Sequence, residues 1–166
     1  GSERNQNLNL FMRNFADLVK LPPPNTKQTD LRTTLQNVAQ LMQIPAEDKQ
    51  VNITVDLPAD AITVLADEQQ LEQAFINIIK NAVEAVDQNG QINIAINIQS
   101  RQLTITDNGR GIDNKQRTQL FTPFYTTKAD GQGIGLTLVR EILSNHGFDF
   151  SLKTIAPNQT VFAISF

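Results

Sequence analysis

The chain has 166 residues, 40% of them hydrophobic and 19% charged, with a formal net charge of −3 and no cysteine. That length suits one well-buried core with a small appendage rather than two ordinary domains. The mild negative charge offers no basic face to neutralise nucleic-acid phosphates, so no nucleic-acid partner is expected. The absence of thiols excludes disulfides and thiolate metal sites.

Leu8, Phe11, Phe15, Leu18 and Val19 recur at helical spacing from about Asn5 to Lys20, before Leu21 and the triple proline Pro22-Pro23-Pro24. A helix and a stiff linker are predicted. The helix stripe needs a cover, which is either another helix, in a missing part or a second chain, or this domain's own core. Thr29-Asp30 can cap a helix carrying Leu31, Leu35, Val38, Leu41 and Met42 that ends before Pro45. Val51, Ile53 and Val55 alternate with polar residues as a half-buried strand does, and Ile62 to Leu65 reads as a second strand.

Asp67 caps the next helix, Glu68 to about Asp87. Asn89-Gly90 then turns the chain into Ile92, Ile94, Ile96 and Ile98 at period two, with Leu103 and Ile105 as hairpin partner. Phe148 to Ile155 and Val161 to Phe166 form a last hairpin. This order predicts an α+β fold, a two-layer α/β sandwich with helices on one face of a mixed, largely antiparallel sheet. No apolar run approaches the roughly 20 residues that span a bilayer, and the amino terminus has no signal-peptide pattern. A soluble, cytoplasmic piece without direct membrane contact is expected. Gly1-Ser2 reads as a cloning remnant, which implies a longer parent whose membrane attachment stays open.

In DEQQLEQAFINIIKNAVEAV, residues Leu71, Ala74, Phe75, Ile78, Ile79, Ala82 and Val86 form one apolar stripe. Asn77, Asn81 and Glu84 share the adjoining face, Asn81 at the stripe's border. A buried amide without partners costs about 1–3 kcal/mol. Backbone or ordered water serves a single asparagine, whereas two on one face shift the balance toward a ligand. A carboxamide oxygen is a hard, neutral donor suited to Mg²⁺, which takes few protein oxygens beside nucleotide phosphates. Asn81 is the candidate ligand, with Asn77 beside it; Glu84 either supports a hydrated shell or is simply solvated.

DNGRGI follows a strand, and its glycines permit positive φ and close backbone approach. Asp107 can accept a hydrogen bond from the exocyclic amine of adenine, whereas guanine would set a carbonyl against it, so such a pocket prefers ATP to GTP. Taken alone, Asp-Asn-Gly reads first as a surface turn, and the alternating glycines of GQGIGL are a weak phosphate signal.

Asn77/Asn81, DNGRGI, LFTPFYTTK and GQGIGL, in this order, are far more specific together. From about Thr26 to Phe166 the chain resembles the ATP-binding catalytic domain of bacterial sensor histidine kinases, a Bergerat-type fold shared with DNA gyrase, heat-shock chaperone ATPases and mismatch-repair ATPases. The resemblance implies that Asn77 and Asn81 lie in the N box, with Asn81 binding Mg²⁺. It places Asp107, Gly109, Gly111 and Ile112 in the G1 box around adenine. Phe121 and Phe124 match the F box of a mobile lid, although Phe121 also reads as plain core. Thr127 and Lys128 sit in that lid, Lys128 as a phosphate contact. Gly131, Gly133, Ile134, Gly135 and Leu136 match the G2 box at the phosphates. Thr160 matches a threonine that supports the adenine-binding aspartate, although Gln159 stands where the family usually has glycine.

Backbone N–H groups at Gly133 to Leu136 open the last helix, whose end carries about half a positive charge and suits triphosphate oxygens. The Rossmann fingerprint puts its glycines early in a parallel βαβ unit, and a P-loop adds a lysine–hydroxyl pair; neither pattern is present. Hydrolytic members of the superfamily carry a glutamate where Asn77 stands, and an amide cannot take a proton from water. The resemblance therefore implies transfer of the γ-phosphoryl group, with Asn77 and Lys128 as catalytic residues, to a histidine on a phosphotransfer domain, and signalling to a response regulator.

FADLVKLPPP resembles the join in nitrogen-regulation (Ntr-type) sensor kinases. Residues 1–24 are thus expected to end a dimerisation and phosphotransfer helix and its linker, and residues 25–166 to be the catalytic domain. The one histidine, His146 in SNHGF, falls where a helix gives way to a turn and reads as structural. The phosphoacceptor histidine is expected outside this chain, which should bind ATP without labelling itself. A regulatory nucleotide-binding module is the alternative; an ATPase clamp is disfavoured by Asn77.

Overall fold

The computed structural model describes residues 21–112 and 135–166. The predicted helix from Asn5 to Lys20, the LFTPFYTTK segment and Gly131 to Ile134 lie outside the described residues. In chain order the elements are β1 (Lys27–Asp30), α1 (Leu31–Asp48), β2 (Asn52–Asp56), β3 (Thr63–Ala66), α2 (Glu68–Ala85), β4 (Gln91–Asn97), β5 (Gln102–Asp107), α3 (Gly135–Asn145), β6 (Asp149–Ala156) and β7 (Gln159–Ser165).

Five strands form one sheet in the order β2-β4-β5-β7-β6. The β2–β4 pair is parallel and the other three pairs are antiparallel, as the mixed, largely antiparallel expectation requires. Alternation sorts the faces: Ile92, Ile94, Leu103, Ile105, Phe162 and Ile164 are buried beneath the helices, while Asn93, Thr104, Thr106 and Ala163 remain at least partly exposed on the other side. Helix α2 packs against both α1 and α3. Its predicted stripe from Leu71 to Val86 is buried throughout, with Leu71, Ala74 and Ile79 fully so. That burial makes α2 the central helix of the layer.

The two-stranded sheet β1–β3 is not foreseen by the hydrophobic pattern, since KQTD carries no alternation. It pairs Lys27–Asp30 against Thr63–Ala66 and sets the origin of two helices. Asp30 caps α1, accepting from the Arg32 N–H at 3.1 Å, and Asp67 caps α2, accepting from the Gln70 N–H at 3.2 Å. The second strand runs one residue later than Ile62 to Leu65, and Leu65 faces outward at 60% exposure. Val55 also points outward, and Ile98 falls in the turn after β4.

The expected stop before Pro45 does not occur, because α1 runs through it to Asp48. Proline forfeits one helical N–H and crowds the preceding turn. Here Pro45 lies on the exposed side while Ala46 is fully buried, and the Lys49 and Val51 N–H groups both close on the Ala46 carbonyl, at 3.1 and 2.8 Å. Packing and these closing bonds retain the last turn.

Candidate functional site

Asn77, Asn81 and Ala85 follow one another at intervals of four along α2, so they form a line beside its buried stripe. Asn77 and Asn81 are half-buried and Glu84 is exposed. Glycines approach this line at both ends. A Cβ on Gly135, the first residue of α3, would stand 3.8 Å from Asn77 Oδ1. A Cβ on Gly109 would stand 2.5 Å from the Ala85 carbonyl oxygen and 3.0 Å from Asp107 Oδ1. Eight helical residues span about 12 Å. The asparagine face thus bridges the DNGRGI turn and the start of α3, and Asp107 lies one helical turn beyond Asn81.

Asp107 ends β5 on the inner face and is buried, at 8% exposure. Its Oδ1 accepts the Gly109 N–H at 2.9 Å. Burial pushes the Asp107 carboxyl above the ordinary aspartate range, and the Gly109 N–H opposes that rise only in part. A carboxylate kept in a dry place with a glycine turn in front of it is suited to receive a donor from a ligand.

Across the sheet the register aligns Asp107 with Thr160 and Thr160 with Thr154. These three form a polar row at the end of the inner face where the chain leaves β5 for the DNGRGI turn, next to the apolar row of Ile105, Phe162 and Leu152. Thr160 is buried, and its Oγ1 lies 2.9 Å from Thr154 Oγ1. The Ile112 N–H donates to Thr154 Oγ1 at 2.8 Å. Gly111, at φ +81°, packs on the same side chain, where a Cβ would come within 2.9 Å of that hydroxyl oxygen. Only glycine fits there without strain. Sequence reasoning singled out Asp107, Gly109, Gly111, Ile112 and Thr160, and the structure brings them together. It missed Thr154, whose place is set by strand register and by the irregularity between Thr154 and Ala156.

Lys49 was also missed. Its Nζ donates to the carbonyls of Val83 and Glu84, at 2.8 and 3.2 Å, supplying from the C-cap of α1 the cation that the last turn of α2 lacks. His146 is structural, as its context suggests. Its Nε2 accepts the Asp67 N–H at 3.0 Å while Nδ1 lies 2.7 Å from the Ile142 carbonyl, so Nδ1 carries the proton and donates to Ile142. Gly147 follows at φ +73°. Leu136 is half-buried against the core beside Gly135. Phe121, Phe124, Thr127, Lys128, Gly131, Gly133 and Ile134 lie outside the described residues.

A two-layer sandwich whose central helix presents asparagines between two glycine-lined segments is the architecture of one class of ATP-binding domain. The family described as histidine kinase-, DNA gyrase B-, and HSP90-like ATPases matches residues 66–166, and the chain belongs to that family. Within it, the chain is homologous to sensor histidine kinase catalytic domains. The sensor histidine kinase ZraS of Salmonella typhimurium is 31% identical over 161 residues, covering 95% of this chain and 34% of its own length. The chain thus spans about a third of that relative. Full-length ShkA, solved in complex with AMPPNP, superposes with a TM-score of 0.76, at 25% identity over 90% of this chain and 33% of its own. Histidine kinase ThkA, solved in complex with response regulator protein TrrA, shares the fold at a TM-score of 0.75 and 20% identity, covering 98% of this chain and 48% of its own. Among the described residues, no helix is long and apolar enough to cross a membrane.

Proposed function

We propose that the chain binds ATP with Mg²⁺ across the α2 face and supplies the γ-phosphoryl group to a histidine on a phosphotransfer domain that precedes residue 25 in the parent protein. The observation that carries this reading is the convergence of Gly109 and Gly135 on the two ends of the Asn77–Asn81–Ala85 line. At Gly109 the missing side chain lets the turn close onto the end of α2, which sets Asp107 against the asparagine-bearing helix. Asp107 receives the adenine amine, with Thr160 beside it. Gly109, Gly111 and Ile112 border the base, and the α3 start at Gly135 and Leu136 faces the phosphates with its N–H groups.

Among the described residues no three His, Cys, Asp or Glu side chains cluster as a metal cage. A neutral amide fits Mg²⁺ when phosphate oxygens and water complete the shell, so Asn81 is the metal ligand. Bound there, Mg²⁺ would neutralise charge on the transferring phosphoryl group. Asn77 offers an amide rather than a carboxylate and does not activate water, which directs the phosphoryl group to another nucleophile. Phe124, Thr127, Lys128, Gly131, Gly133 and Ile134 complete the phosphate side, with Lys128 neutralising charge.

A response regulator is the downstream partner. The ThkA–TrrA complex supports this by fold alone. Residues 1–24 provide the end of the dimerisation helix and the linker, and the parent's setting is cytoplasmic. Supplying the phosphotransfer domain of the parent separately tests the assignment. Acid-labile phosphate should appear on that domain's histidine and not on this chain. ATP binding without transfer would instead favour a regulatory nucleotide module.

A further inference from the structure

The polar row of Asp107, Thr160 and Thr154 contains one residue, Thr154, for which the reading above has no task. Thr154 Oγ1 accepts the Ile112 N–H at 2.8 Å and lies 2.9 Å from Thr160 Oγ1. Gly111 is packed on the same side chain. One hydroxyl therefore touches both the turn in front of Asp107 and the threonine paired opposite Asp107. These groups come from three separate stretches of chain, which the sheet register brings into a single line.

A hydroxyl has one hydrogen and two acceptor positions. With one acceptor position of Thr154 taken by the Ile112 N–H, its hydrogen remains available for Thr160 Oγ1. When Thr154 donates to Thr160, the Thr160 hydrogen is left for another acceptor, and Asp107 is the residue paired with Thr160 on the neighbouring strand. In the opposite polarity Thr160 donates to Thr154 instead. A buried carboxylate favours the first polarity, because each donor directed toward it lowers the cost of its charge.

We propose that Thr154 is a positioning residue for purine selection. It holds the Gly111–Ile112 backbone in place and fixes the Thr160 hydroxyl on the strand paired with Asp107, so that the turn and Asp107 keep the geometry that receives the adenine amine. This rests on the proposed ATP-binding function. It goes further in assigning selectivity to a residue that touches neither the phosphates nor the metal. Thr154 sits where the β6–β7 register shifts, a kind of irregularity that re-aims side chains next to functional sites.

The test compares wild type with Thr154→Val and Thr154→Ser on the full chain, using titrations with ADP and GDP and amide hydrogen exchange without nucleotide. Thr154→Val keeps the shape and removes the hydroxyl. It should weaken ADP binding about tenfold, the loss expected for a buried hydrogen bond. GDP binding should change little, so the ADP-to-GDP preference falls by the same factor. Exchange at the Ile112 amide should accelerate, and Thr154→Ser should restore both readouts. If Thr154→Val folds and keeps the wild-type preference and Ile112 exchange, the inference is overturned while the ATP reading stands. If wild type binds neither nucleotide, the ATP reading falls first. A Thr154→Ser variant that behaves like Thr154→Val would also overturn the inference, because shape rather than the hydroxyl would then be responsible.

Discussion

Asp30 ends β1 and Asp107 ends β5, and their surroundings displace their acidity in opposite directions. Asp30 is surrounded by donors. The Arg32 guanidinium binds it at 2.9 Å, and the Ile62 and Arg32 N–H groups each reach it at 3.1 Å. The guanidinium chiefly, with those N–H groups, holds its carboxyl at about 2. Arg32 in turn donates to the carbonyls of Pro58 and Ala59, which ties the corner together. Asp107 is more deeply buried, and burial pushes its carboxyl up. A carboxylate supplied with its donors by the fold is structural. One desolvated in front of glycines is suited to a ligand's donor.

The most severe way to break the contrast is to fill the glycine space. Gly109→Ala would press a methyl group onto the Ala85 carbonyl and Asp107, with overpacking expected to cost about 1–3 kcal/mol. ADP binding, followed by calorimetry, should be abolished, and the urea midpoint should fall.

Replacing Asp107 by alanine should come next. It should erase the preference for adenine over guanine nucleotides, a change of about 10- to 100-fold for a lost buried acceptor. The pH dependence carries a distinctive sign. Because the folded Asp107 value is raised, the folded state holds its proton at pH values where the unfolded chain has lost it. This group's contribution to stability therefore grows as pH falls through the raised value toward the ordinary carboxylate range. Adenine binding needs the ionised form and should weaken over the same window. Asp107→Asn should remove both trends, read by thermal unfolding and ADP titration between pH 4 and 7 on the order of the carboxylate range.

Asp30→Ala should produce a smaller and purely structural effect. A lost helix cap costs about 1 kcal/mol, with nucleotide affinity unchanged. The sign at Asp30 is the reverse: its lowered folded value gives stability that is full above the ordinary carboxylate range and lost as pH falls toward about 2. Equilibrium unfolding across acidic pH would show the two aspartates opposing one another. His146→Ala should have a comparably small effect, about 1 kcal/mol for its hydrogen bond to the Asp67 N–H. ADP affinity should be retained.

The same contrast explains what the sequence discloses. Helix α2 is legible because its stripe repeats at 3.6 residues without interruption and Asp67 caps it. The strands of the large sheet are legible wherever period two persists, as in Ile92, Ile94 and Ile96. Asn77, Asn81 and Asp107 stand out because amides and carboxylates on apolar borders need an explanation. Thr154 stays hidden, since a threonine in a strand has no local mark and its role depends on the Thr154–Thr160 and Asp107–Thr160 registers. The His146 partner at Asp67 is 79 residues away, beyond any periodic signal. Pro45 misleads because a local rule for stopping a helix gives way to the burial of Ala46. Strand β1 has no pattern of its own and forms by pairing with β3.

The central claim is that the amide-bearing face of α2 and the Asp107 turn surround one nucleotide. Titration of ATP with and without Mg²⁺ on wild type, Asn81→Ala and Asp107→Ala tests it most directly. Asn81→Ala should lose the Mg²⁺ enhancement while keeping the choice of adenine, and Asp107→Ala should lose the choice of adenine while keeping the Mg²⁺ enhancement. Wild-type binding that ignores both the base and the metal, or variants that leave both responses intact, would contradict the account.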